Sequence, residues 1–485
     1  MRILWIDDEV GTLRPLIELL EEEGYEVDTA ESGREGLEKL RHSSYNVVFL
    51  DYKMPGMDGI EVLKLIRSFK PNIPVVMLTM MTDREIIESA IGQDVFDYIV
   101  KPVQFAQLMA VLNKLRRREI KERMAGLGIT QTYNRVMSIS ETYEGWIEKA
   151  RLLFETRLNL PKEHREVIDM EISSQNERFA SWIKDNYPAL LSDEKYVMSH
   201  NVVSRKILSG PLPVVVFLID AFRIDQFLLL MRRLPSTMNL HIDFYMSLLP
   251  TSTLFARNSF FAGLLPLDIH RRHPGYLLDN LHEIELFGEF LKENHIDATY
   301  QVHKINDVGT LNRLEPQGRD IEVVVINFLD AFIHSKADIE VLREVDDVDT
   351  IIRLIDAFVS GTSFVEVLER YLGRGYHLVL TSDHGWVIGK KPIAIAGGRD
   401  ITDGLRFKFG DSLRFMSRDG ILVKNLEEWG LPRAFGERLA LADDYGFFVY
   451  KSREHEYARQ YRGYVLHGGI SLEEMVVPLI SISSR

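Results

Sequence analysis

The sequence predicts an α/β protein in three parts. A doubly wound, parallel five-stranded sheet is expected over residues 1–120, a central helical bundle over 121–208, and a second α/β domain over 209–485. Two observations carry this expectation. At both ends of the chain, short continuous apolar runs alternate with amphipathic stretches, as buried parallel strands do when helices connect them. Between Phe105 and Leu208 the strand signals vanish, and Ile168, Ile172, Phe179 and Ile183 recur at helical spacing with polar residues between them. The 485 residues also exceed what one ordinary core serves, so several domains are expected.

In the first part, Arg2 to Ile6 reads as a strand and Thr12 to Glu23 as a helix closed by Gly24. Tyr25 to Thr29 is the second strand, Gly33 to Arg41 a helix, and Tyr45 to Leu50 the third strand, delivering Asp51. Pro74 to Thr79 and Asp94 to Val100 complete the five, and a helix follows from Phe105. Asp7 and Asp8 end the first strand, Asp51 the third and Thr79 the fourth, while Lys101 follows the fifth. In an open parallel sheet these positions converge at the carboxyl edge. Three such carboxylates repel one another unless a hard divalent cation such as Mg²⁺ sits among them. The cation, the Thr79 hydroxyl and the Lys101 ammonium together suit a phosphoryl group on Asp51. A cis Lys101–Pro102 bond is expected to aim the lysine inward. The set resembles response-regulator receiver domains over roughly residues 1–120. That resemblance implies Asp51 as phospho-acceptor, Asp7, Asp8 and Asp51 around Mg²⁺, and Thr79, Tyr98 and Lys101 as the switch.

In the middle part, Leu115-Arg116-Arg117-Arg118-Glu119 extends the last helix of the first domain with a solvated, charged face. Pro161 is expected to interrupt one helix and Pro188 to close another, giving three or four helices that act as a spacer.

Gly210-Pro211-Leu212-Pro213 punctuates the chain, and Val214 to Ile219 then forms a buried strand ending in Asp220. Pro250-Thr251-Ser252-Thr253 is a turn opening a helix through Arg257. Val323 to Leu329 ends in Asp330, with His334 four residues on, which shares a face with Asp330 if a helix begins there. His377 to Thr381 leads into Ser382, Asp383, His384 and Gly385, and Val465-Leu466 precedes His467 and two glycines. There is no cysteine, so any metal must be held by His, Asp or Glu. Thr251 and Ser252 compete with Thr253 as nucleophile.

The order and spacing of Asp220, Thr253, Asp330, His334, Asp383, His384 and His467 resemble the alkaline phosphatase superfamily, and within it the PglZ-type domain, over roughly residues 206–485. The resemblance implies two zinc ions. Asp220, Asp383, His384 and the Thr253 oxygen would hold one, and Asp330, His334 and His467 the other. Mixed nitrogen and oxygen ligands without sulfur suit zinc, with manganese an alternative. The Pro-Thr-x-Thr register followed by Gly263 is similar to superfamily phosphodiesterases, in which the second threonine acts; this favours Thr253. Coordination would activate the hydroxyl, which is a poor nucleophile at neutral pH, and two metals would clamp the attacking and leaving oxygens. Arg257, one helical turn on, is expected to hold a phosphate oxygen, with Asn258 sharing that task. Arg399, Arg406 and Lys408 are weaker phosphate candidates, and His270-Arg271-Arg272-His273 a weaker groove candidate. Gly385 to Lys390 has the wrong spacing, and no hydroxyl after the lysine, for a phosphate loop.

The formal charge of −14 argues against tight binding of duplex DNA. The first residues read as a core strand and no apolar run reaches membrane-spanning length, so a cytoplasmic protein is expected. A receiver, a helical segment and a PglZ-type domain in this order resemble the PorX-type response regulators associated with type IX secretion. That resemblance implies a PorY-like sensor histidine kinase, and regulation through a sigma factor or secretion components. Phosphorylation of Asp51 is expected to favour a homodimer. Two functions compete. One is a zinc-dependent phosphodiesterase acting on nucleotide-type substrates; the other is a signalling scaffold whose PglZ domain holds metal without turnover.

Overall fold

The computed structural model describes residues 1–80, 95–327, 348–397, 404–415, 420–450 and 454–484. The chain divides into two compact units, Met1–Gly126 and Leu127–Arg485.

Five strands build the first unit: β1 (Arg2–Ile6), β2 (Glu26–Ala30), β3 (Val47–Asp51), β4 (Val75–Thr79) and β5 (Asp97–Val100). They pair in parallel in the order β2-β1-β3-β4-β5. Helices on both faces explain why the central strands are apolar at successive positions. Trp5, Phe49, Val76 and Leu78 pack on one face with Leu108 and Leu112, and Leu4, Leu50 and Met77 on the other with Val62 and Ile66. β1 and β3 are neighbours although β2 lies between them in sequence, so the chain reverses direction across the sheet at their carboxyl ends.

The second unit is built on six strands: β6 (Val214–Ile219), β7 (Met238–Met246), β8 (Tyr300–Ile305), β9 (Ile321–Ile326), β10 (His377–Thr381) and, after eight short strands, β19 (Val476–Ser484). Their order is β7-β19-β10-β6-β9-β8. β10, β6, β9 and β8 run parallel, whereas β19 pairs antiparallel with both β10 and β7. Within β6, Val214, Val216 and Leu218 face one core, and Val215, Phe217 and Ile219 the other. The short strands are β11 (Val387–Ile388), β12 (Lys391–Ala396), β13 (Phe407–Gly410), β14 (Arg414–Phe415), β15 (Ile421–Val423), β16 (Arg438–Leu441), β17 (Gly446–Tyr450) and β18 (Val465–Leu466). They form one two-stranded and two three-stranded sheets that sequence reading did not anticipate.

The central helices, Thr130–Ser138, Tyr143–Asn159 and Arg165–Ser192, belong to the second unit instead of standing apart as a spacer. Buried polar groups tie them to it. Arg157 pairs with Asp349 at 2.7 Å, and Asn176 donates to Glu473 at 2.9 Å. Pro188 does not close its helix; it lies within Arg165–Ser192. An internal proline costs about 3 kcal/mol. Packing on either side of it outweighs that cost. The Tyr187 hydroxyl accepts from the Leu249 amide at 2.7 Å, its ring packs on Trp429, and Leu190 is buried.

Candidate active site

In the first unit, Asp7, Asp8 and Asp51 present carboxylate oxygens that lie within 4.8 Å of one another. Lys101 Nζ lies 2.9 Å from both Asp7 Oδ2 and Asp51 Oδ1, following a cis Lys101–Pro102 bond. Burial pushes the Asp51 carboxyl above its ordinary value; Lys101 pulls the other way, and Asp7 and Asp8 add to the rise. Thr79 is buried at the end of β4, and Tyr98 is half-buried in β5. This all-oxygen cluster fits a hard cation such as Mg²⁺.

In the second unit, strand register brings the chemistry together. β6 and β10 pair with Leu218 opposite Thr381, and two residues further on Asp220 and Asp383 leave the sheet side by side. The Ala221 amide donates to Asp383 Oδ1 at 3.2 Å and the Phe222 amide to Ser382 Oγ at 3.0 Å, fastening the two strand ends together. Thr253 opens the helix Thr253–Ala262, whose N-cap is Ser252 and whose C-cap is Gly263. Gly263 has φ +64°, and a Cβ there would lie 2.4 Å from the Phe290 ring, so the position demands glycine.

Thr253 Oγ1 lies 3.2 Å from His384 Nε2 and 3.4 Å from Asp220 Oδ1. His384 Nδ1 is 2.9 Å from the Gly385 carbonyl, which only accepts; Nδ1 therefore carries the proton and the Nε2 lone pair faces Thr253. His467 follows the same rule. Its Nδ1 is 3.2 Å from the Thr251 carbonyl, and its ring stacks 4.5 Å from that of His384. Among the described residues, Asp220, Asp383 and His384 place donor atoms within 4.8 Å of one another. Buried carboxylates with an imidazole whose other nitrogen is held by a carbonyl fit zinc. Asp330 and His334 lie outside the described residues.

The two residues expected to hold phosphate, Arg257 and Asn258, have protein partners in this structure. Arg257 Nε donates to Asp383 Oδ2 at 2.9 Å, Nη1 to Asn327 Oδ1 at 2.9 Å, and Nη2 pairs with Asp220 Oδ2 at 2.5 Å. Burial opposes ionisation of Asp383, but Arg257 and then His384 outweigh it and hold the carboxyl below its usual range. Asn258 Nδ2 donates to the carbonyls of Leu254, Tyr276 and Asp279, which fixes the following loop to the helix. Of the competing hydroxyls, Thr251 Oγ1 donates to the Gly469 carbonyl at 2.9 Å and accepts from the Gly468 amide at 3.1 Å.

The weaker candidates also take structural roles. Arg406 is fully buried and pairs with Glu474 at 2.6 Å, while Lys408 lies 4.8 Å from the centre of the Tyr450 ring. Arg272 pairs with Glu293 and His273 with Glu289, so the carboxyl end of the helix Pro266–Arg272 is tied to the helix Glu283–Glu293. Arg399 lies outside the described residues. Sequence reading missed Glu473 and Glu474. The Glu474 carboxylate accepts from the Gly469 amide at 2.9 Å, and its backbone carbonyl accepts from Gly385 at 3.0 Å, so it holds both histidine-bearing loops. The available signal was a pair of acids, Glu473-Glu474, inside an otherwise apolar run.

Known proteins match the chain in two places. The response regulator receiver domain family matches residues 3–113, and the family described as the BREX system PglZ alkaline phosphatase-like domain matches residues 200–482. The transcriptional regulatory protein ZraR of Escherichia coli K12 is 38% identical over 112 residues, 23% of this chain and 25% of that protein. The DNA-binding transcriptional regulator NtrC of Klebsiella pneumoniae is 35% identical over 113 residues, 23% of this chain and 24% of its own length. The chain thus spans about a quarter of the curated relatives it matches. Among solved structures, a receiver domain protein from Clostridium thermocellum is 36% identical, with a TM-score of 0.23, over 24% of this chain and 95% of that one. The response regulator TrrA of Thermotoga maritima is 39% identical, with a TM-score of 0.22, over 24% and 97%. No helix among the described residues is long and apolar enough to cross a membrane. With its PglZ match spanning more than half its length and a receiver domain ahead of it, the chain belongs to the PglZ family of alkaline phosphatase-like domains.

Proposed function

We propose that this chain is a two-component response regulator whose output domain is a zinc-dependent phosphodiesterase acting on nucleotide-type substrates, with Thr253 as nucleophile. The observation that carries the reading is the Thr253 hydroxyl, 3.2 Å from His384 Nε2 and 3.4 Å from Asp220 Oδ1, at the start of a helix. Asp220, Asp383, His384 and the Thr253 oxygen would hold one zinc; His467, with Asp330 and His334, would hold the second. Bound zinc supplies Lewis acidity, lowering the pKa of a coordinated hydroxyl and neutralising charge on phosphoryl oxygens.

The protein's own groups do the rest. The first-turn amides of Thr253–Ala262 present the positive end of the helix to an anionic ester. The Gly385 carbonyl keeps the His384 proton on Nδ1, away from the nucleophile. Attack by the Thr253 oxygen on phosphorus breaks the bond to one ester oxygen, which leaves as its alcohol with the proton given up by the Thr253 hydroxyl. The phosphoryl group on Thr253 keeps the second ester until water cleaves the Thr253 oxygen–phosphorus bond, releasing the monoester and restoring the hydroxyl. At the other end of the chain, Asp51 takes its phosphoryl group from a sensor histidine kinase, with Mg²⁺ bound by Asp7, Asp8 and Asp51. The resemblance of the domain order extends the proposal to a cytoplasmic regulator of type IX secretion, acting through secretion components or a sigma factor.

The test is zinc-supplemented turnover of bis-p-nitrophenyl phosphate beside p-nitrophenyl phosphate, for the wild type and Thr253→Ala. Diester hydrolysis should be the faster and should fall at least about a hundredfold in the variant. Metal bound at two sites without turnover of either ester would replace this reading with the scaffold.

A further inference from the structure

We infer that Arg257 is a positioning residue for the metal ligands and does not contact the phosphate. The inference rests on the reading that Asp220, Asp383 and His384 hold zinc. Arg257 is only 3% exposed; Nε and Nη1 donate hydrogen bonds to protein acceptors, and Nη2 lies against the Asp220 carboxylate as an ion pair without the alignment of a hydrogen bond. Nε meets Asp383 Oδ2 at 2.9 Å, Nη2 meets Asp220 Oδ2 at 2.5 Å, and Nη1 meets Asn327 Oδ1 at 2.9 Å with Glu283 3.8 Å away. A phosphate oxygen would have to displace a buried ion pair to reach this guanidinium.

The geometry has a purpose that the phosphate role lacks. Asp220 and Asp383 end neighbouring parallel strands, where two carboxylates side by side repel and swing apart. A guanidinium is planar, with its donors in a rigid fork, so it fixes the spacing of the two Oδ2 atoms as a single ammonium charge does not. Asp220 Oδ1 is thereby turned toward Thr253, at 3.4 Å. Arg257 also lies four residues after Thr253, on the same face of one helix. One rigid element thus carries the nucleophile and the clamp on two ligands, and sets the distance between them. Asn327, at the end of β9, anchors the far side of the clamp.

The test measures zinc affinity of the full chain by competition with a chromophoric chelator, for the wild type, Arg257→Gln, Arg257→Lys and Asn327→Ala. Arg257→Gln should bind zinc about 10- to 100-fold more weakly, the range expected when a group orienting a metal ligand is removed. Arg257→Lys should recover part of that loss, because it keeps the charge without the fork. Asn327→Ala leaves Arg257 in place and removes one anchor; it should show a smaller loss in the same direction, and it decides the matter if Arg257→Gln does not fold. The visible spectrum of the cobalt-substituted protein should change in Arg257→Gln while its circular dichroism does not. Inhibition of the zinc-loaded protein by inorganic phosphate should stay within about threefold of wild type at saturating zinc. Zinc affinity equal to wild type in Arg257→Gln, or in a folded Asn327→Ala if the first variant is lost, would overturn the inference and return Arg257 to the phosphate. A wild type that binds no zinc would overturn it together with the metal site, a result distinguishable from the first.

Discussion

Asp444 occupies the turn between β16 and β17 with φ +40°, a conformation that Asp and Asn tolerate best among residues with a side chain. Its carboxylate accepts from Ser173 at 2.7 Å and from Asn176 at 3.3 Å. Burial is the main influence and, with Glu177, Glu473 and Asp443 nearby, pushes its pKa up to about 7. A folded pKa above the unfolded one means that stability is fully present below about pH 4 and falls as pH rises toward 7. Asp444→Asn should therefore raise the Tm at pH 8 and flatten its pH dependence between 5 and 8; a Tm that drops at pH 8 would sink the assignment. Glu322 has the opposite sign. It is fully buried, yet donors from His303, Tyr376, Tyr371 and the Gln317 amide hold its pKa down at about 2. Its contribution is present above about pH 4.5 and is lost as pH falls toward 2, so the gap in stability between wild type and Glu322→Gln should narrow between pH 5 and 3. At this scale Asp220, Asp383 and His384 were legible because each follows a continuous apolar run, and such runs end at the carboxyl edge of a sheet. The engagements of Arg257, Arg406 and Glu474 were not, since each depends on a partner brought close only by folding, as Arg406 and Glu474 are across 68 residues.

The short helix Leu472–Met475 joins two parts of the second unit. Glu473 faces the long central helix through Asn176 and also accepts from Tyr445, while Glu474 faces the loops that carry Thr251, Gly469 and Gly385. A Cβ at Gly385 would lie 2.0 Å from the Glu473 carbonyl oxygen, a backbone atom with little room to yield. Gly385→Ala should destabilise the unit by about 2 kcal/mol or more and weaken zinc binding, read by thermal unfolding and chelator competition. Asn176→Ala strands the Leu472 amide and takes the donor from one oxygen of Glu473, whose other oxygen keeps Tyr445, at a cost of about 1–3 kcal/mol. Parallel strands were the elements best read from sequence: β1 and β6 begin and end where expected, and β2, β3 and β4 shift by a residue or two. β7 and β19 went unread because each earns its place through a partner far along the chain, and the chain around Pro188 stays helical because tertiary packing overrode a local signal.

For the molecule as a whole, the homodimer expected on phosphorylation of Asp51 is a prediction with a direct test. Sedimentation velocity with and without a small-molecule phosphoryl donor should show monomer passing to dimer in the wild type but not in Asp51→Asn; monomer in every sample would remove dimerisation from the account. The placement of β19 between β7 and β10 governs how this chain is made as well as how it stands. A ribosome releases the first unit's strands in one early block, so that unit can close while translation continues. The second sheet has no such freedom. Until residues 476–484 emerge, β7 has no neighbour to join it to β10, and its open edge is a template for wrong pairing. The nascent protein therefore carries a closed receiver and an unfinished second sheet until residues 476–484 emerge. A frameshift within codons 476–484 removes an interior strand instead of trimming a tail, and with it the bridge between β7 and β10.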